Sequence, residues 1–137
     1  MRYKRPDNKN ALSIIEAAKR DMKFTLSIKP TEESNPTIVR NVYESFRMLG
    51  DALLVIKGIK SEDHIAPIKE LLKIKVETRR PIGVIDNLRR LRHNINYYGY
   101  KPNLIEVKDT ISIAETCFEP IYKEILKKIK WQPKKIF

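Results

Sequence analysis

Residues 39–56 read VRNVYESFRMLGDALLVI and contain the clearest helical pattern in the chain. Its apolar side chains recur every three or four residues, the spacing that places them along one face of an α-helix. The stripe consists of Val39, Val42, Phe46, Leu49, Leu53 and Ile56. Gly50 lies inside the stripe, where we expect it to permit close packing against another helix, and Gly58 is a stop signal just beyond it. The stretch therefore predicts a long amphipathic helix.

The segments before and after this helix show the same periodicity. A first helix is predicted from about Asn10 to Ile28, and the second helix is predicted to begin at Asn35. A third helix follows Ser61 and contains Pro67, which has no N–H to donate to the Asp63 carbonyl. That helix must start near Ala66 or have an irregular first turn. The stripe of the first helix consists of Ala11, Ile15, Ala18, Met22 and Leu26.

The C-terminal half predicts two more helices. Pro81 opens the fourth helix and Gly99 closes it. Asn103 and Glu106 form a capping-box signature at the start of a long fifth helix, in which Pro120 predicts a kink near Thr116. Their stripes are Val84, Leu88, Leu91, Ile95 and Tyr98, and then Leu104, Val107, Ile111, Ala114, Phe118, Ile121 and Ile125.

The whole pattern predicts one fold class. No segment alternates like a strand between hairpin turns. We expect an all-α fold, an antiparallel up-down bundle of four to five helices. It forms a single domain over residues 1–137, with irregular tails at residues 1–9 and 131–137.

The excess of basic over acidic residues favours a negatively charged partner. The chain has 28 Lys and Arg against 17 Asp and Glu, a net charge of +11. Nucleic acid is a common partner of such a chain, because basic side chains displace counterions from phosphates. An acidic protein partner and a purely solubilising role stay open. The high charged fraction and the four glycines suggest a thermophilic source.

Other classes of protein and site are not expected. A single cysteine excludes a disulfide framework and a cysteine-rich zinc site, and Cys117 is predicted to be a small buried side chain. His64 and His93 lack carboxylates at a metal-binding spacing, so no metal or cofactor is expected. No apolar run is long enough to span a membrane, and the first residues lack the apolar stretch of a secretory signal. We therefore expect a cytoplasmic protein without a membrane partner.

Residues 88–100, LRRLRHNINYYGY, are the segment richest in functional groups. On a helix, one flank beside the apolar seam collects five polar side chains. Arginine suits phosphate, histidine suits acid–base chemistry near neutral pH, and the tyrosines, with Tyr98 and Tyr100, suit stacking on unpaired bases. A solvated helix face is the alternative. The candidate phosphate-binding residues are Arg89, Arg92, His93, Asn96 and Tyr97.

Three stretches together resemble the HEPN superfamily. They are IIEAAKRDM at 14–22, YESFRMLGDALL at 43–54 running into KGIKSEDH at 57–64, and RHNINYYG at 92–99. The resemblance implies a helical bundle, often a homodimer, that acts largely on RNA. Many members are metal-independent ribonucleases of toxin–antitoxin or defence systems, and others are binders encoded beside a small nucleotidyltransferase. His64 resembles a family histidine expected to cap or join helices.

The catalytic pattern of the family matches in part. Its arginine is followed a few residues later by a histidine; Arg92 matches the arginine, but Tyr97 and Tyr98 occupy the later positions. The leading hypothesis is a dimeric bundle that binds RNA or another phosphate-bearing ligand without turnover. One alternative is a metal-independent endoribonuclease, with His93 as general acid or base and Arg92 stabilising charge on the phosphate. Another is a non-enzymatic interaction module that partners a nucleotidyltransferase.

Overall fold

The computed structural model describes residues 2, 3, 5–61, 63 and 65–130. Within this part of the chain there are five α-helices, a 3₁₀ turn at Ile82–Val84 and two short strands, so the all-α prediction is confirmed. None of the described helices is both long and apolar enough to cross a membrane. The helices are α1 (Asn8–Leu26), α2 (Asn35–Ile56), α3 (Ile65–Leu71), α4 (Ile85–Tyr98) and α5 (Leu104–Lys130); the strands are β1 (Arg2–Tyr3) and β2 (Ile59–Lys60).

Helix α2 is the centre of the bundle. It packs against each of the other four helices, so apolar side chains around most of its circumference are buried. Phe46 is completely buried, and its ring meets the edge of the Phe118 ring from α5 at a centroid distance of 5.7 Å. The predicted stripe of residues 39–56 is therefore confirmed as the main element of the core.

Gly50 brings two backbones together, as the sequence predicts. A Cβ atom at this position would lie 2.0 Å from the carbonyl oxygen of Pro67 in α3. No side chain fits in that space, so α2 and α3 can adopt this contact only when residue 50 is glycine.

The start of α3 settles the position of Pro67. The Asp63 carboxylate accepts hydrogen bonds from the backbone N–H groups of Ile65 and Ala66, at 3.0 and 2.8 Å. The helix thus begins at Ile65, and Pro67 falls in the first turn, where a backbone N–H has no intrahelical acceptor. Of the two alternatives drawn from the sequence, a start near Ala66 is confirmed.

The connection between α4 and α5 also follows the sequence signals. Gly99 adopts a left-handed conformation with φ of 63°, which ends α4. The Asn103 side chain accepts from the Glu106 N–H at 2.8 Å, and the Glu106 carboxylate accepts from the Asn103 N–H at 3.0 Å. The predicted capping box is present. The same carboxylate accepts from the Tyr100 hydroxyl at 2.6 Å, so residues 99–106 form a tightly bonded corner.

Three side chains predicted for the core are exposed instead. Tyr98 is 75% exposed, Leu104 is 49% exposed and Leu26 is 37% exposed. Tyr98 and Leu26 end their helices and Leu104 begins α5, so each lies where the neighbouring helices no longer cover the stripe. Periodicity identifies which face of a helix packs against the core, but it does not show where the neighbouring helix ends.

The ends of the chain differ from the prediction in detail. Helix α1 begins at Asn8 because the Asp7 carboxylate accepts from the Asn10 N–H at 2.9 Å, so the irregular segment is shorter than residues 1–9. Arg2 and Tyr3 pair antiparallel with Lys60 and Ile59, which the sequence does not signal. The predicted tail at 131–137 lies outside the described residues. Helix α5 continues through Pro120, and the kink near Thr116 stays a prediction.

Candidate nucleic-acid interface

Helix α4 places the five candidate residues along one flank. Its buried residues Ile85, Leu88 and Ile95 fix the face that packs towards the bundle, mainly against α2. Arg89 and Arg92 are half-buried beside this face. The remaining candidates are exposed: His93, Asn96 and Tyr97. The flank is an open surface along the border between α4 and α2.

Arg92 lies over an aromatic ring of the neighbouring helix. Its guanidinium carbon is 5.5 Å from the centre of the Tyr43 ring on α2, a cation–π contact. Across residues 5–61, 63 and 65–130, no carboxylate is within ion-pair distance of this guanidinium. The Tyr43 ring therefore positions Arg92, while the N–H groups of the Arg92 guanidinium keep their capacity to bind an anion.

The neighbouring arginines on α4 share one carboxylate. Arg89 Nε donates to Asp86 Oδ1 at 2.9 Å, and Arg90 Nε lies 3.8 Å from Asp86 Oδ2. The hydrogen bond from Arg89 holds the pKa of the Asp86 carboxyl below its ordinary value, although partial burial opposes this effect. Arg89 is thus partly committed within the protein, and Arg92 is not.

Asn96 joins α4 to α2 through a residue that is not among the predicted site residues. Arg40 Nε donates to Asn96 Oδ1 at 2.6 Å. Arg40 is exposed and has further N–H groups, and Asn96 lies one helical turn beyond Arg92 on α4. A phosphate on this border would therefore meet guanidinium groups from both helices.

His93, Tyr97 and Tyr98 form a cluster of rings, here called the aromatic platform. The His93 ring centre lies 4.6 Å from that of Tyr97, at an interplanar angle of 39°, and 5.8 Å from that of Tyr98, at 70°. Tyr97 is 66% exposed. Across the described part of the chain, no carboxylate hydrogen-bonds to His93, so the carboxylate that commonly orients a catalytic histidine is not seen.

Tyr43 has a buried hydroxyl without a hydrogen-bond partner among the described residues. Burial raises the pKa of this phenol, and the positive charges of Arg92 and Arg47 reduce the rise without cancelling it. Arg47 itself is occupied by Glu44 and Asp51. The hydroxyl is therefore neutral at physiological pH and unsatisfied, which costs stability.

We expect Tyr43→Phe to stabilise the protein. The substitution removes the unsatisfied hydroxyl and keeps the ring under Arg92, so the free energy of unfolding should rise by about 1 kcal/mol. Urea denaturation followed by circular dichroism measures the change. Tyr43→Leu is the matched variant, since it removes the hydroxyl and the ring together and should destabilise. A loss of stability in Tyr43→Phe would mean that the hydroxyl has a partner.

The structure brings all five candidates onto one surface, adds the exposed Arg40 to it and places the buried Tyr43 ring beneath Arg92. Tyr43 and Arg40 lie on α2. One signal in the sequence could have indicated that this helix is basic: Arg40 and Arg47 are seven residues apart, on either side of Tyr43. Cys117 is fully buried, as predicted. The candidate His64 lies outside the described residues. Among the residues that are described, no group of three or more His, Cys, Asp and Glu is arranged to hold a metal ion.

No family model, curated protein or solved structure matches the chain.

Proposed function

We propose that this chain is a HEPN-type helical bundle that binds RNA, through phosphate contacts centred on Arg92. The observation that carries the proposal is the half-buried Arg92 guanidinium, which lies over Tyr43 and has no carboxylate partner in the described structure. A half-buried cation without a counter-charge is well suited to an external anion, and the planar guanidinium matches two phosphate oxygens at once.

The surroundings of Arg92 support a polyanion over a small isolated anion. Arg40 from α2 and Arg89 from α4 flank it, so cationic groups extend along the border between the helices. The chain as a whole carries a net charge of +11. A row of cations on an open surface fits a phosphate backbone that continues beyond one residue.

The proposal is binding without turnover. His93 directly follows Arg92, but its ring lies against Tyr97 and Tyr98 and has no orienting carboxylate among the described residues. A general acid or base needs a fixed orientation towards the reacting oxygen. A homodimer, a nucleotidyltransferase partner and a toxin–antitoxin or defence setting stay predictions from the HEPN resemblance.

Paired alanine variants on α4 test the phosphate site. Arg92→Ala should weaken RNA binding about tenfold or more, because charge-assisted hydrogen bonds contribute about 1.5–3 kcal/mol. The slope of log affinity against log salt should fall by about one. Arg90→Ala removes the same charge from a side chain that is 72% exposed and pairs weakly with Asp86, so it is the matched control. The measurement is fluorescence anisotropy of labelled RNA across a salt series.

Two results would contradict the proposal. Equal losses in Arg92→Ala and Arg90→Ala would show that total charge, not the Arg92 site, determines affinity. The titrations are carried out in EDTA, and the RNA is then analysed on a gel. Cleavage by the wild type that disappears in His93→Ala would replace binding by metal-independent ribonuclease activity.

A further inference from the structure

Large exposed apolar side chains concentrate at one end of the bundle. Within the described chain, eight large hydrophobic residues are more than a third exposed, and five of them fall between residues 97 and 105. These five span the end of α4, the corner and the start of α5. They are Tyr97, Tyr98, Tyr100, Leu104 and Ile105. Such a concentration costs solubility without adding to the core, so it indicates a surface that meets a ligand.

The aromatic platform is the part of this surface with a defined shape. Tyr97 and Tyr98 are 66% and 75% exposed, and both rings contact His93 rather than the apolar core. Because most of each tyrosine side chain is exposed, ring surface remains available to a ligand. An open aromatic face can stack on any base, whatever its hydrogen-bonding edge.

The charges beside the platform favour a nucleic acid over another apolar protein surface. Arg92 precedes Tyr97 by five residues, which separates the two side chains by about 7.5 Å along the helix axis and about 140° around it. Lys108 lies near the start of α5, and Lys101 lies on the corner, where it lines a pocket together with Glu32 and Glu33. The nearby carboxylate of Glu106 is occupied by the Tyr100 hydroxyl and the Asn103 N–H. Arg92 on the same helix is therefore the cation that could act with the rings, and a cation beside aromatic rings is the combination that binds phosphates and bases of one strand together.

We propose that the aromatic platform stacks on unpaired bases, so that the protein prefers single-stranded RNA to duplex RNA. This inference rests on the proposed function, because Arg92 holds the backbone of the same strand. In a duplex the base faces are stacked on each other and are closed to the tyrosines. A duplex thus gains the phosphate contacts alone, and a single strand gains the phosphate contacts and the stacking.

The test compares two pairs of substitutions on two RNA probes. The probes are a short labelled single strand of mixed sequence and the same strand annealed to its complement. The double variant Tyr97→Ala and Tyr98→Ala should lose about tenfold or more in affinity for the single strand, because stacking contributes about 1–3 kcal/mol per base. Its affinity for the duplex should change less than about twofold, because duplex binding relies on phosphate contacts. The double variant Tyr97→Phe and Tyr98→Phe keeps the rings and should behave as wild type.

The outcomes separate this inference from the proposed function. If Arg92→Ala weakens binding and the double alanine variant binds the single strand like wild type, the platform inference is overturned and the phosphate site stands. Equal losses on both probes overturn the inference as well, since stacking on unpaired bases cannot affect a duplex. If the wild type binds neither probe at low salt, the proposed function fails, and this inference fails with it. Circular dichroism of each variant confirms that the helices are retained, as expected for exposed side chains.

Discussion

Gly50→Val should lower the free energy of unfolding by about 3 kcal/mol or more, because overpacking a closed contact forces the backbones apart. The first atom of any side chain at residue 50 would lie 2.0 Å from the carbonyl oxygen of Pro67. The obstacle is backbone, which cannot move aside as a flexible side chain can. Valine also has a better helix propensity than glycine, but that gain is below about 1 kcal/mol and does not offset the clash.

Gly83→Ala is the matched control for this prediction. A Cβ atom at Gly83 meets nothing within 4 Å, so the added methyl group should leave stability unchanged or raise it slightly. Urea unfolding of both variants, followed by circular dichroism, gives the two free energies. A Gly50→Val protein as stable as Gly83→Ala would mean that α3 is not held against α2 as described.

Phe46→Ala should destabilise the bundle by about 3–5 kcal/mol, the usual cost of emptying a fully buried aromatic site. The ring is inaccessible to solvent and connects α2 to Phe118 of α5. Because α2 also contacts the other three helices, a cavity here affects packing across the whole core. Phe46→Leu keeps most of the volume and should cost less than half as much.

The measurement for Phe46 is thermal and urea unfolding of the two variants beside the wild type. Tyr97→Ala provides a surface reference, since that ring is mostly exposed and its removal should change stability within about 0.5 kcal/mol. Similar losses for Phe46→Ala and Tyr97→Ala would show that α2 is not the centre of the core.

Local signals predicted much of the fold correctly. The stripe of α2, the glycine cap of α4 and the Asn103–Glu106 capping box all depend on residues within a few positions of each other. Spacing along one helix contains that information. The prediction that Tyr98 and Leu104 belong to the core is wrong, because their burial depends on how far a neighbouring helix extends, and no local pattern contains that information.

For the candidate surface too, local spacing predicts some features, and others depend on contacts between distant helices. The five residues on α4 could be grouped from helical spacing alone, and the structure places them on one flank. Helical spacing does not predict that Tyr43 lies under Arg92 or that Arg40 bonds to Asn96, since α2 and α4 are far apart in the sequence. The pairing of Arg89 with Asp86 also distinguishes arginines that look equivalent in the sequence.

The proposed ligand would meet a corner between α4 and α5 that is already ordered. Gly99, the Asn103–Glu106 pair and the Tyr100 hydroxyl bond hold the backbone around the exposed rings in one conformation before anything binds. Preorganisation of this kind reduces the conformational entropy lost on association. Recognition on this surface should proceed as rigid docking, with an association rate governed by electrostatic steering rather than by folding of the binding segment.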